Sequence, residues 1–489
     1  MNSRHAAGAR SVPGFAPLVI ALALAVGGCA QLPELGQLSP MRTADQSATS
    51  FTAPAAQWPT DNWWTAYGDE QLDALIAEAF AGSPDLASAA AKLRQAEAAG
   101  QVSGAPLLPQ VDGSASVSKQ KMSNNYLTPV AFTPQGWPDY GLASLNLNWE
   151  IDFWGKNRAA LAAATTEIDA SKAELAQARL ALAAGVASNY AQLAALFAER
   201  DTAARSVEIR RKTVTLFTER FENGLETQGS LNEAKARLAT AEGSLLSVDE
   251  SIGLQRNRLA ALLGAGPDRG LRIERPRVNL ADGHGLPAEL SANLLGRRPD
   301  VVAARLMVQA REKRIASKKA EFYPNVNLSA AIGVQSLGLG MLTKAGSSMG
   351  SIGPALSLPI FTGGRLRGEL RGTAADYDQA VATYNATVTR ALQDVADAWL
   401  SQKSLSAQLD KAQEAFNAAQ ESYRVANNRY EGGLANYLEV LHAEDTLLDS
   451  QRALTSLQSR AFTLDVALTR ALGGGYQSAP QTETHKANS

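Results

Sequence analysis

The chain has 489 residues, enough for two or three ordinary domains, and a net charge of −2. That charge balance excludes bulk attraction to nucleic acid. Its single cysteine, Cys29, excludes an internal disulfide, so an exported form must be held together by packing.

The first element in chain order is a targeting segment. Arg4 and Arg10 precede an apolar run from Phe15 to Val26, too short to cross a bilayer as a helix. Small residues then lead to Cys29, a pattern that resembles a bacterial lipoprotein signal, in which the cysteine is acylated and becomes the mature N-terminus. The competing reading is a buried free thiol. Ala30 is not the aspartate that favours inner-membrane retention, so the resemblance points to the outer membrane. Residues 1–28 are therefore read as signal peptide. Residues 29–68, rich in Pro, Ser, Thr and Gln, are read as a lipid-anchored, extended tether that Trp63 and Trp64 pin to the body.

Residues 69 to 104 predict two helices split by Gly82-Ser83-Pro84, with Ser83 as N-cap and Pro84 at the first helical position. The apolar period then changes from 3.6 to 2. Val111, Gly113, Ala115 and Val117 alternate with Asp112 and serines; Leu145, Leu147, Trp149 and Ile151 alternate with Asn146, Asn148 and Glu150. The same happens from Val326 to Val334 and from Ile352 to Ile360. The spacing predicts four strands in two hairpins, at about 107–119, 140–152, 323–335 and 351–361, each apolar on one face.

A long helix is predicted after each hairpin. Between Ala159 and Glu222 there is no proline and one glycine, Gly185, which allows on the order of 95 Å of helix. Leu161, Ile168, Leu175 and Leu182 recur every seven residues, as do Val381, Val388 and Val395 in the later copy. A seven-residue period means side-by-side, coiled-coil packing. Asn223-Gly224-Leu225 and Gly432-Gly433-Leu434 end these helices, glycine being the usual left-handed cap. Second long helices follow, Leu231 to Leu263 and Tyr437 to Leu472.

The chain is internally duplicated. R-F-E-N-G-L from Arg220 matches R-Y-E-G-G-L from Arg429, an offset of 429 − 220 = 209 that continues to Gly264 and Gly473. Pro84-Asp85 matches Pro299-Asp300, L-P-Q-V at 108–111 matches Y-P-N-V at 323–326, and F-W-G-K-N-R at 153–158 is aligned with I-F-T-G-G-R at 360–365. The first repeat spans 69–264, a Gly/Pro/Arg-rich connector 265–298, the second repeat 299–474, and a polar, disordered tail 475–489. The expected fold is mainly α, with a small membrane β part of four strands.

Strands of this length, apolar on one side, suit an outer-membrane barrel. Four cannot close one, and open edges in lipid cost several kcal/mol per unpaired backbone group. Two copies supply eight strands and three supply twelve; only twelve leave room for a duct. A soluble β-sandwich on a coiled coil is the alternative for the same residues.

The two R-[FY]-x-x-G-L helical tips, the doubled P-D and P-x-V segments and the lipoprotein signal together resemble the TolC-type outer-membrane efflux proteins, lipoprotein branch (OprM-like or NodT-like). The resemblance covers about Asp69 to Gly474. It implies a homotrimer with a twelve-strand β-barrel in outer-membrane lipid above a twelve-helix tunnel. It also implies a periplasmic adaptor and an inner-membrane pump of the RND or a similar type as partners. No catalytic activity is implied, no nucleic acid, and no cofactor beyond the covalent lipid on Cys29. The alternative function is a periplasmic coiled-coil adaptor or structural envelope protein.

By the same resemblance, Tyr430, Leu438, Glu439, His442 and Asp445 line a periplasmic aperture. His442 stands where the family has an aspartate and Asp445 where a sister channel has an arginine. A histidine ring gains charge as pH falls through neutrality, whereas an aspartate ring stays charged; simple packing of His442 on a helix face is the competing reading. Gly224, Leu225, Gly433 and Leu434 form the adaptor-docking tips, with plain helix capping as the bland alternative. Two patterns carry no chemistry. G-S-S-M-G at 346–350 lacks the strand before and helix after that a nucleophile elbow needs. His442, Glu444 and Asp445 do not converge on one helical face, so no metal site is expected.

Overall fold

The computed structural model describes residues 33–43, 55–125, 129–278, 286–287 and 290–477. The signal peptide, Cys29 and the tail beyond 477 lie outside the described residues. Four strands form one antiparallel sheet: β1 (Gln110–Lys119), β2 (Asp139–Ile151), β3 (Asn325–Leu337) and β4 (Ser348–Ser357). Their order follows the chain, so β1 and β4 are its edges. The longer helices among the described residues are α1 (Glu70–Gly82), α2 (Pro84–Gly104), α3 (Lys156–Glu222), α4 (Gln228–Leu262), α5 (Pro299–Ala320), α6 (Arg365–Glu431) and α7 (Tyr437–Ala471).

Local chemistry sets the ends of these elements. The Asp152 carboxylate accepts from the backbone N–H groups of Asn157 (3.2 Å) and Arg158 (2.8 Å). This cap starts α3 three residues ahead of the predicted Ala159. β4 begins earlier than predicted because Ser348 pairs with Val334, and it ends at Ser357, short of Pro359, which lacks an N–H.

The chain divides into two compact units. Among the described residues, the first comprises 33–40, Gln95–Ile168 and Leu306–Ala382, and holds the sheet. Beneath the sheet, Ile315 and Phe322 pack on Leu366, Leu370 and Ala374 of α6, and the tether adds Leu35 and Leu38 to this core. Ser39 N–H donates to Asp378 on the same helix at 2.9 Å.

The second unit comprises the described residues within 41–94, 169–305 and 383–477. Its core joins Trp63, Trp64 and Tyr67 to Leu72, Leu75 and Ile76 of α1, to Val186, Tyr190 and Leu193 of α3, and to Phe462 and Val466 of α7. The tryptophan pair thus does pin the tether. Asp69 caps α1 through the N–H of Gln71 and also accepts from the Tyr190 hydroxyl and the Arg277 N–H, each at 2.7 Å. One stretch of α3 is apolar enough, by length and composition alone, to cross a membrane; its alanines Ala183, Ala184 and Ala187 are buried against protein instead. Val381, Val388 and Val395 are buried as the seven-residue spacing requires, whereas Leu161, Ile168, Leu175 and Leu182 are half-buried.

The two halves have equal helix lengths, 67 residues for α3 and α6 and 35 for α4 and α7. Gly155 (φ +76°) directly precedes α3 and Gly364 (φ +87°) directly precedes α6. The structural match is therefore Gly155 with Gly364, an offset of 209, and not the offset of 207 that aligning the two terminal arginines gives. Only glycine adopts that backbone without strain, so conformation identifies the corner where side-chain similarity misplaces it.

Candidate functional site

The sheet has two chemically distinct faces. Register places Val111, Val117, Leu145, Ile332, Ile352 and Leu356 on one of them, each more than half exposed. Each such side chain gains about 1.5–3 kcal/mol when taken out of water, so leaving six exposed costs on the order of 10 kcal/mol unless another phase or chain covers them. The opposite face is polar and cross-linked. The Ser114 and Ser144 hydroxyls lie 3.0 Å apart, Asn146 donates to Ser114 at 3.2 Å, and Ser329 donates to Asn148 at 3.2 Å.

Both helical tips in the second unit share one geometry. Leu225 N–H donates to Arg220 C=O and Leu434 N–H to Arg429 C=O, each at 2.8 Å, around Gly224 and Gly433, both at φ +72°. This is the left-handed closure expected of glycine. It leaves Leu225 66% and Leu434 75% exposed at the turns. Thr227 and Asn436 then cap α4 and α7 by accepting from the N–H groups of Ser230 and Glu439.

The five aperture candidates do not form one cluster. Tyr430 is buried, stacked at 5.9 Å on Phe217 with the Arg220 guanidinium 4.7 Å over its ring. Its hydroxyl donates to Glu226 at 2.9 Å. Burial, then the Glu226 carboxylate, push the Tyr430 hydroxyl up to about 12. Burial pushes Glu226 up, but hydrogen bonds from Thr227, Tyr430 and Ser230 outweigh it and hold this carboxyl below the ordinary glutamate range. Leu438 and His442 lie one turn apart on the exposed side of α7. Glu439 pairs with Arg429 at 2.8 Å.

Asp445 turns toward the first half of the chain. It accepts from Arg210 of α3 at 3.1 Å and from Arg237 of α4 at 2.9 Å. Beside it Glu444 is almost fully buried, accepting from Thr213 at 3.2 Å with Arg210 Nε 3.6 Å away. Burial raises the Glu444 carboxyl, and the attraction of Arg210 only partly offsets this. Glu226, Glu444, Arg210 and Arg237 are the residues of this clasp that sequence reasoning missed. Glu226 lies one position beyond the named tip and could have been found; the others have partners 208 to 235 residues away and no motif.

The family model for outer membrane efflux proteins matches this chain twice, over residues 75–265 and 290–474. The chain belongs to the outer membrane efflux protein family. Among relatives in this family, the multidrug resistance outer membrane protein MdtP of Escherichia coli K12 is 33% identical over 437 residues, covering 87% of this chain and 88% of MdtP. The fusaric acid resistance protein FusA of Burkholderia cepacia is 37% identical over 365 residues, 72% of this chain and 68% of FusA. The crystal structure of the outer membrane protein VceC from Vibrio cholerae superposes with a TM-score of 0.82 at 46% identity, covering 86% of this chain and all of VceC. The outer-membrane channel OprN gives the same TM-score at 26% identity, covering 91% of this chain and 99% of OprN. As in those channels, the chain is mostly helical with a small four-strand sheet.

Proposed function

We propose that this chain is the outer-membrane duct of a tripartite efflux assembly, passively conducting small molecules delivered by a pump and an adaptor. The observation that carries this reading is the sheet, with one uncovered apolar face, one hydrogen-bonded polar face and two open edges. The apolar face suits lipid and the polar face suits a water-filled lumen. The open edges suit closure by identical copies, three of which supply twelve strands. The exposed leucines at the helical tips suit the periplasmic adaptor, and energy comes from the inner-membrane pump. The duct itself performs no reaction. MdtP and FusA are named for drug and fusaric acid resistance; small organic cargo of that kind is the proposal here.

The same reading includes acylation of Cys29. Leu35 packs in the core beneath the sheet, and Cys29 lies six positions before it, a reach of at most about 20 Å. An acyl chain on that thiol therefore enters the leaflet nearest the sheet's base.

The test is purification of the mature protein from outer membranes in detergent. A heat-modifiable trimer that conducts ions in planar bilayers, and takes up labelled palmitate unless Cys29 is Ser, is the expected result. A water-soluble monomer without conductance refutes the duct. Unlabelled but functional protein refutes only the anchor.

A further inference from the structure

The internal duplication relates the strands of the two repeats by fixed offsets. Two offsets relate the repeats. β1 maps onto β3 by 325 − 110 = 215, and the segment running from β2 through α4 maps onto that from β4 through α7 by 437 − 228 = 209.

These offsets hold in space as well as in sequence. The hairpin pair Gln110 with Asn148 becomes Asn325 with Ser357, which is an observed pair. They hold again in the second unit, where two close backbone contacts are related in the same way. A Cβ on Gly264 would lie 2.2 Å from Gly82 O, and one on Gly473 would lie 2.1 Å from Arg297 O. Here 473 is 264 + 209 and 297 is 82 + 215. Neither hairpin nor helix has slipped between the halves.

Within one chain, β2 of the first repeat pairs with β3 of the second. That junction is the template for the missing one, in which β4 of the second repeat pairs with β1 of the next copy's first repeat. Resting on the trimeric duct reading, we infer that copies join in the register obtained by shifting the β2–β3 pairs by the same two offsets. Leu147 with Ala330 becomes Leu356 with Ala115 of the next copy. Trp149 with Leu328 becomes Leu358 with Gly113, Leu145 with Ile332 becomes Pro354 with Val117, and Asn148 with Ser329 becomes Ser357 with Ser114.

Three features of the chain suit this register. Every residue of β1 is exposed, as is most of β4, so neither edge is covered within one copy. Apolar-face residues meet apolar-face residues and serine meets serine, whereas a one-residue slip would set leucines against the serine row. Ala115 of β1 lies opposite Leu356 of β4, and Gly113 opposite Leu358 just past its end, a small-against-large match along the seam.

The remaining alternative is a two-residue slip, which keeps the faces. Directly opposed residues have Cβ atoms about 4.5–5.5 Å apart and diagonal ones about 7–8 Å, and a disulfide needs about 3.5–4.5 Å. Full-length protein carrying Ala115→Cys with Leu356→Cys, or Ser114→Cys with Ser357→Cys, is extracted in detergent and mildly oxidised. Both double variants should give covalent trimers on non-reducing gels. They should form at least tenfold faster than in Val117→Cys with Leu356→Cys or Gly113→Cys with Leu356→Cys. The two wanted pairs lie on opposite faces, so either serves if the other disturbs assembly. A proven trimer that cross-links only through the slipped pairs, or through none, overturns the register while leaving the duct intact. A chain that is monomeric in wild type and all variants overturns the duct reading and the register together.

Discussion

Tyr430 on α6 donates its hydroxyl to the Glu226 carboxylate over 2.9 Å, tying residues 204 positions apart at the helical tips. The aromatic stack on Phe217 and the cation on Arg220 hold the ring independently of that bond. The hydroxyl can therefore be removed without emptying the site.

Tyr430→Phe is expected to keep the trimer and its packing and to loosen the tie. A hydrogen bond to a charged group contributes about 1.5–3 kcal/mol, and partial exposure of this one places it at the low end. If the tips close the duct, the open fraction in single-channel records should rise about tenfold. An unchanged open fraction in a folded trimer would remove the tie from any role in closure.

Asp445 holds both Arg210 and Arg237. Asp445→Ala leaves two neighbouring guanidinium groups without their shared partner. Because the carboxylate is about half exposed, solvent screens the loss, to about 1 kcal/mol per arginine. A double-mutant cycle with Arg237→Ala, read by thermal unfolding, should show coupling of that order. Strictly additive effects would mean that the pair holds nothing.

Glu444 and Glu226 should respond to pH with opposite signs. Glu444 is raised by burial, so packing around it is favoured below the ordinary glutamate range and loses that advantage as pH rises through the raised value. Glu226 is lowered, so its contribution is present above the ordinary range and fades in acid. Glu444→Gln is expected to raise the melting temperature at pH 7.5 and to leave it near wild type at pH 4.5. A fall at pH 7.5 would mean that its attraction to Arg210 outweighs burial.

His442 lies exposed, one turn beyond Leu438. If it faces the aperture, His442→Asp puts a carboxylate ring into the conducting path and should raise the preference for cations over anions in planar bilayers. Matching ion selectivity for the two proteins would leave His442 a surface residue.

Gly433→Val forces a β-branched residue to φ +72°, a strain of order 1–3 kcal/mol. The trimer should persist while export fails, because the tip and its exposed Leu434 are redirected. Loss of the trimer instead would leave Gly433 only a capping role.

The alternation of Leu145, Leu147, Trp149 and Ile151 was enough to place a half-covered strand, because the side-chain period of a strand is local. The tips were legible for the same reason, since a glycine at φ > 0 announces itself in six residues. The strand-to-helix corner was not. Phe153-Trp154 looks like Ile360-Phe361, yet backbone conformation sets Gly155 against Gly364. The clasp was hidden for a different reason. Asp445 meets Arg210 and Arg237 through helix packing, and no local pattern encodes a partner more than 200 residues away. Its placement on an aperture by family position says nothing of these two bonds.

The matched helix lengths, 67 with 67 and 35 with 35, constrain how this gene can evolve. An insertion in one repeat lifts one tip out of line with its sibling unless the other repeat gains the same number of codons. Natural variation in stem length should therefore arrive as twin events, in steps of seven that keep the apolar seam in phase.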